Sequence, residues 1–107
     1  MAGYVVGHLH DVEMGPQIVE YLERIDATLA PYGGRFIIHG ATPDVREGDW
    51  GGDLIVIEFP DLDRARAWYE SPAYQEILPL RAEYSRGAVL LIDGEDADHA
   101  AADILSR

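Results

Sequence analysis

Polar residues that stand among apolar neighbours are the best candidates for chemistry in this sequence. Glu58 interrupts the apolar run LIVIEF, His39 follows the run RFII, and Arg81 lies on the apolar face of a predicted helix. An arginine can hold an anionic group, and a histidine can act as an acid or a base near neutral pH. The pattern predicts a pocket between sheet and helices in which Arg81 binds an anion. His39 or His8 would be the acid or base there, oriented by Glu58.

Aromatic residues near these positions have two interpretations. Trp50 lies in a glycine-rich stretch, and Trp68 and Tyr69 lie in a predicted helix, so all three could form apolar walls of the pocket. Aromatic residues at helical spacing more often pack in a core, however. In the same structural interpretation, Glu58 and Arg81 form an ion pair within the subunit that only supports the fold.

A metal site is the weaker possibility for the histidines. His8 and His10 are two residues apart on a predicted strand, so both point to one face, and Glu58 or His39 could add a ligand. The sequence contains no cysteine and no other cluster of ligands. We therefore expect no metal and no cofactor.

Composition excludes several classes of partner. The 107 residues predict one domain, and the net charge of −12 disfavours nucleic acid and anionic membranes as partners. No apolar run is long enough to span a membrane. The N-terminal sequence lacks the basic and apolar segments of a signal peptide, and we expect a cytoplasmic location.

Strand and helix patterns follow each other in a recognisable order. Alternating or continuous apolar residues predict strands over 4–10, 35–41, 54–59 and 88–92. Pro16 starts a helix with an apolar stripe, Asp61 caps a second helix, and Ser71 caps a third that Pro79 should kink or split. The stripe of the first helix consists of Ile18, Leu22, Ile25, Leu29 and Tyr32.

The order β-α-β-β-α-β, with an extra helical segment before the last strand, predicts a ferredoxin-like α+β fold with a four-stranded antiparallel sheet. Helices would cover one face of this sheet. Strand 54–59 is apolar on both faces, so its second face needs a cover, and a second copy of the chain is the simplest one. The domain would span 1–94, and the tail 95–107 would be a loose surface helix or disordered.

Several motifs resemble a known protein family. They are YGGRF at 32–36, REGDW at 46–50, VIEFPDLDRARAWYESPAYQ at 56–75, and LLIDG at 90–94. In this order they are similar to domain-of-unknown-function family 1330, within the dimeric α/β barrel superfamily. The resemblance implies a ferredoxin-like subunit and a homodimer, and it implies no activity.

Two functions from different classes remain open from the sequence. The first is a homodimer that binds a small organic molecule, anionic or neutral, in each subunit, either without catalysis or with cofactor-free acid/base or oxygenase-type chemistry. The second is a non-catalytic dimeric module for structure or interaction, in which the polar residues only hold the fold.

Overall fold

The protein folds into one four-stranded sheet covered on one face by helices, in a computed structural model that describes residues 1–106. The predicted order of elements is confirmed. The strands are β1 (Gly3–His10), β2 (Arg35–Ile38), β3 (Asp53–Phe59) and β4 (Arg86–Asp93), and the helices are α1 (Pro16–Leu29), α2 (Leu62–Glu70) and α3 (Pro72–Ala82).

The sheet is antiparallel throughout, in the order β2-β3-β1-β4. Side chains alternate between the two faces of the sheet. The pairing of β1 with β3 and β4 therefore shows which residues of these strands share a face. Val5 pairs with Ile57 and Leu91 on the face under the helices, whereas Tyr4 pairs with Glu58 and Ile92 on the other. We call the second face the open face, because no element among residues 1–106 packs over it.

The core lies between the sheet and the three helices. Its largest fully buried side chains are Phe59 of β3, Trp68 of α2, and Tyr74 and Ile77 of α3. Gly3 lets α2 approach the sheet closely, because a Cβ atom there would lie 2.5 Å from the backbone of Leu62. The core thus forms where apolar faces predicted from periodicity meet.

A β-bulge in β2 changes the predicted alternation of that strand. Arg35 pairs with Glu58 and Phe36 with Ile57, but Ile38 then pairs with Val56, which leaves Ile37 as the extra residue. Ile38 therefore lies on the open face with Arg35, whereas simple alternation along the strand would place it on the same face as Phe36. The strand also ends at Ile38 rather than at residue 41.

Capping residues define α2 and α3 as the sequence predicts. The Asp61 carboxylate accepts a hydrogen bond from the backbone N–H of Arg64 at 2.8 Å, and the Ser71 hydroxyl accepts one from Tyr74 N–H at 3.2 Å. Pro79 does not split α3, which continues to Ala82. It lies near the C-terminal end, and its missing N–H removes one hydrogen bond to the preceding turn.

The predicted tail contains a short helical segment. Residues Ala101–Ser106 form an exposed 3₁₀ helix, and the His99 ring lies 3.6 Å from Glu95 and 3.7 Å from Asp103. Arg107, the last residue of the predicted tail, lies outside the described residues. None of the helices in the described part of the chain is long and apolar enough to cross a membrane.

Candidate functional site

A cavity of about 230 Å³ lies between the helical face of the sheet and the helices. Its walls are mainly apolar and come from the inward positions of β1, β3 and β4 together with α1. The residues that form most of this wall are Val5, Leu9, Ile18, Ile25, Phe36, Ile55, Ile57 and Val89. Apolar walls with few polar groups are typical of ligand pockets in proteins.

Arg81 is the cationic residue of this cavity. It shares a face of α3 with Tyr74, seven residues earlier, and its guanidinium carbon lies 5.8 Å from the ring centroid of Tyr21 on α1. The Tyr21 and Tyr74 hydroxyls hydrogen-bond each other at 2.8 Å. Packing of α1 against α3 therefore assembles one cation and two phenol hydroxyls at the cavity wall.

The guanidinium of Arg81 lacks a carboxylate partner. Its Nε atom is buried and forms no hydrogen bond within residues 1–106, and no ion pair in that range includes Arg81. Burial by itself lowers the pKa of Arg81, but the Tyr74 and Tyr21 hydroxyls more than offset this, so the net pKa lies above its ordinary value. The side chain is therefore charged at any physiological pH.

Tyr21 remains protonated under the same conditions. Burial, reinforced by the neighbouring Tyr74 hydroxyl, raises the pKa of Tyr21 far above its ordinary value. In the hydroxyl pair, one O–H donates to the other oxygen, and the second proton is left for an acceptor. The arrangement thus offers hydrogen-bond donors and a positive charge, which suits an acceptor-rich anionic group.

Trp68 is both a core residue and part of the cavity wall. It is 1% exposed and forms part of the core, yet it also lines the cavity. Its indole N–H donates to the Thr28 hydroxyl at 2.9 Å, and that hydroxyl donates to the Ile25 carbonyl at 2.6 Å. Tyr69 packs edge-on against Trp68, with ring centroids 6.2 Å apart, and is not part of the cavity lining.

His39 lies at the exposed mouth of the cavity. The bulge in β2 turns its ring toward Phe36, with centroids 4.4 Å apart and planes 21° from parallel. Asp53, at the start of the adjacent β3, and the 69%-exposed Met14 also line this region. Of the three acid or base candidates from the sequence, His39 is the one that reaches the cavity.

Glu58 does not meet Arg81, so the predicted ion pair is wrong. Glu58 lies on the open face, where its carboxylate accepts hydrogen bonds from Arg35 at 2.8 and 3.2 Å and from Tyr4 at 3.4 Å. The sheet separates it from the cavity, because Ile57 and Phe59 take the inward positions of β3. The prediction of a pocket shared by Arg81, His39 and Glu58 fails for Glu58.

His8 and Trp50 also lie away from the cavity. His8 projects from the open face of β1, where its ring stacks on Trp50 with centroids 4.3 Å apart and its Nε2 contacts the Gly51 carbonyl at 2.5 Å. These contacts hold the loop between β2 and β3 against the sheet. Trp50 is therefore not a wall of the cavity that contains Arg81.

The histidines do not form a metal centre with other residues. His8 and His10 have ring centroids 5.9 Å apart, and His10 bonds the Asp11 carboxylate at 2.9 Å. Across residues 1–106, no group of three His, Asp or Glu side chains could hold a metal ion.

Tyr21, like Tyr74, is a site residue that the sequence analysis did not single out. Its signal was present, since Ile18, Tyr21, Ile25 and Thr28 repeat at steps of three and four, and all four are buried. The predicted stripe included Leu22 instead, which is 43% exposed. Both stripes fit a helical period, and contact with α3 decides between them.

Comparison with known proteins places the chain in a family. The model of the family "Domain of unknown function (DUF1330)" matches residues 2–95. The chain belongs to the DUF1330 family. The resemblance seen in the sequence motifs is thereby confirmed, and no curated protein matches the chain.

Solved structures with the same fold extend the comparison of this DUF1330 chain. A dimeric ferredoxin-like protein of unknown function from Jannaschia sp. CCS1 is 21% identical, covers 90% of this chain and 100% of its own, and has a TM-score of 0.65. The protein of unknown function RPA0582 from Rhodopseudomonas palustris is 14% identical, with coverages of 89% and 83% and a TM-score of 0.60. SnoaB, a cofactor-independent oxygenase from Streptomyces nogalater, is 18% identical, with coverages of 91% and 96% and a TM-score of 0.60. At these identities the likeness concerns the fold.

Proposed function

We propose that this DUF1330 protein binds a small organic carboxylate in the cavity, with Arg81 holding the charged group. The observation that carries this proposal is the state of Arg81, whose buried Nε has no hydrogen-bond partner and whose charge has no carboxylate partner among the described residues. A buried N–H group without an acceptor is costly to the folded state. A ligand carboxylate would supply that acceptor.

The surroundings of Arg81 support an anionic rather than a neutral ligand. The Tyr21 ring gives the guanidinium a cation–π contact, but a ring face does not accept the Nε–H bond. The Tyr21–Tyr74 pair adds a free donor proton beside it. A carboxylate could accept from both sources, and the planar guanidinium matches its two oxygens.

The proposal assigns the organic part of the ligand to the apolar walls and gives His39 the position for an acid or base. His39 lies at the mouth, where a bound molecule would pass it or end beside it. Cofactor-free acid/base or oxygenase-type chemistry would depend on this residue. Binding alone requires only Arg81, the tyrosine pair and the walls.

A homodimer formed through the open face belongs to the same proposal. Leu90 and Ile92 of β4 are 48% and 53% exposed there, and Ile38 of β2 is 37% exposed. Apolar side chains in one row on a sheet favour burial against a second sheet. The Jannaschia structure and another of the same fold, from Bacteroides fragilis, are described as dimeric.

The carboxylate proposal is tested by binding measured on matched acids and amides. Small monocarboxylates and the corresponding primary amides would be titrated into the wild-type protein and followed by amide NMR shifts. We expect saturable binding of at least one acid and binding of its amide that is about tenfold or more weaker, since a charged hydrogen bond contributes roughly 1.5–3 kcal/mol.

Variants separate the role of Arg81 in binding from a general effect of removing a charged side chain. Arg81→Met should abolish the difference between acid and amide while leaving the protein folded, because it removes the guanidinium that holds the carboxylate and, with it, the buried Nε–H that has no acceptor. Arg66→Met on the exposed face of α2 and Glu58→Gln on the open face should bind as wild type does. If Arg81→Met is strongly destabilised, or if no acid binds, the alternative of a non-catalytic dimeric module is favoured.

A further inference from the structure

We propose that the bound molecule is a single-ring aromatic carboxylate about the size of benzoate. This inference rests on the proposed function and adds the size and shape of the organic part. It depends on three features of the cavity: its volume, the aromatic side chains in its wall, and the position of its polar groups.

The volume sets the size of the ligand. An apolar cavity of about 150 Å³ is known to accept benzene, which has six non-hydrogen atoms. By proportion, the cavity of about 230 Å³ accepts about nine non-hydrogen atoms, the number in benzoate. Acetate would leave most of the apolar wall without a contact, and the second ring of a two-ring acid would extend out of the cavity through its mouth.

The wall contains flat aromatic surfaces from several elements. Phe36 of β2, Tyr21 of α1, and Trp68 and Tyr74 of α2 and α3 all line the cavity. Trp68 and Tyr74 have ring centroids 4.1 Å apart, with planes 40° from parallel, so their positions are set by each other. Tyr21, Trp68 and Tyr74 are at most 8% exposed, so the half-buried Phe36 is the ring that a ligand reaches most readily. A planar aromatic ligand gains offset-stacked or edge-to-face contacts with Phe36 that a saturated ring of equal size does not.

The polar groups lie at two separate places. The half-buried Arg81 lies beside the buried tyrosine hydroxyls, whereas His39 and Asp53 lie exposed at the mouth. The wall between them is apolar, because it is formed by inward residues of the strands such as Ile55 and Val89. A ligand with one carboxylate and one compact apolar ring matches this arrangement.

Three ligands of different size and flatness test the inference. Benzoate, cyclohexanecarboxylate and 2-naphthoate would be titrated into the wild-type protein by calorimetry, with acetate as the smallest acid. We expect benzoate to bind about three- to tenfold more tightly than cyclohexanecarboxylate, which has the same number of non-hydrogen atoms but no aromatic ring. Acetate and 2-naphthoate should each bind at least about tenfold more weakly than benzoate.

A variant of the wall gives the matched control. Phe36→Leu keeps the wall apolar but removes one aromatic face, so it should weaken benzoate by about three- to tenfold and leave cyclohexanecarboxylate within about twofold. Equal binding of the two nine-atom acids, or equal losses in Phe36→Leu, would overturn the aromatic assignment.

The titrations of these acids also distinguish a failure of this inference from a failure of the proposed function. If acetate, 2-naphthoate or a saturated acid binds most tightly and depends on Arg81, the aromatic and size assignment is wrong while carboxylate binding stands. If none of the acids binds in a manner that depends on Arg81, both proposals are wrong.

Discussion

Arg81 and Glu58 have opposite environments although both stand among apolar neighbours in the sequence. Glu58 receives hydrogen bonds from Arg35 and Tyr4, so its charge is compensated within the subunit. Arg81 has a ring and two neutral hydroxyls beside it instead of a carboxylate. The difference makes Arg81 a candidate for ligand binding and makes Glu58 a structural residue of the open face.

The tyrosine hydroxyl pair is open to a direct test at the level of one residue. Tyr21→Phe removes the 2.8 Å hydrogen bond to the buried Tyr74 hydroxyl, and we expect the free energy of unfolding to fall by about 1 kcal/mol. Urea denaturation measures this change. Tyr69→Phe is the control, because that half-buried ring packs on the core without a hydroxyl hydrogen bond to residues 1–106. Equal stability of Tyr21→Phe and wild type would contradict the expectation.

At the level of elements, the close approach of α2 to β1 packs the helices on the sheet, and the bulge in β2 places His39 at the cavity mouth. Gly3 allows the first contact, and the extra residue Ile37 turns His39 toward Phe36 at the mouth. Changes at these backbone positions should therefore affect stability more than changes in exposed loops.

Gly3→Ala tests the packing of α2. The new Cβ atom would lie 2.5 to 2.6 Å from backbone atoms of Asp61 and Leu62, so the helix must move. We expect a loss of about 1–3 kcal/mol in the free energy of unfolding, measured by chemical denaturation. Gly51→Ala should change it by less than about 0.5 kcal/mol, since no atom lies within 4 Å of its added Cβ. Comparable losses in both variants would exclude this explanation.

For the whole molecule, the two faces of the sheet have different roles. One face holds the core and the cavity, and the other carries exposed apolar residues around the Glu58–Arg35 pair. A second subunit on the open face would bury these residues without blocking the cavity. Assembly and ligand binding are therefore expected to be separable by mutation.

Leu90→Arg tests the proposed dimer. A charge in the middle of β4 on the open face should make the protein monomeric at micromolar concentration, because an unpaired charge is costly in an interface. Sedimentation velocity reports the mass of both proteins. Val19→Arg places the same side chain at a comparably exposed position on α1 and should remain dimeric. A monomeric wild type, or a dimeric Leu90→Arg, would reject the proposed interface.

The sequence alone determined the order of the elements, the caps at Asp61 and Ser71, and the family. Those features arise from local patterns, such as strand alternation, helical period and turn residues, which depend on neighbours along the chain. The motifs at 32–36, 46–50, 56–75 and 90–94 likewise need no knowledge of contacts.

Only the tertiary structure decided which polar residues meet. Alternation along β3 places Glu58 and Ile57 on different faces of the sheet. It does not reveal that Arg35, on the neighbouring strand β2, reaches Glu58, or that the sheet separates Glu58 from Arg81. Likewise, both Tyr21 and Leu22 fit a helical stripe, and packing against α3 selects Tyr21 as the neighbour of Arg81. The physical reason is that contacts between elements depend on how their faces are rotated and packed, which local periodicity leaves open.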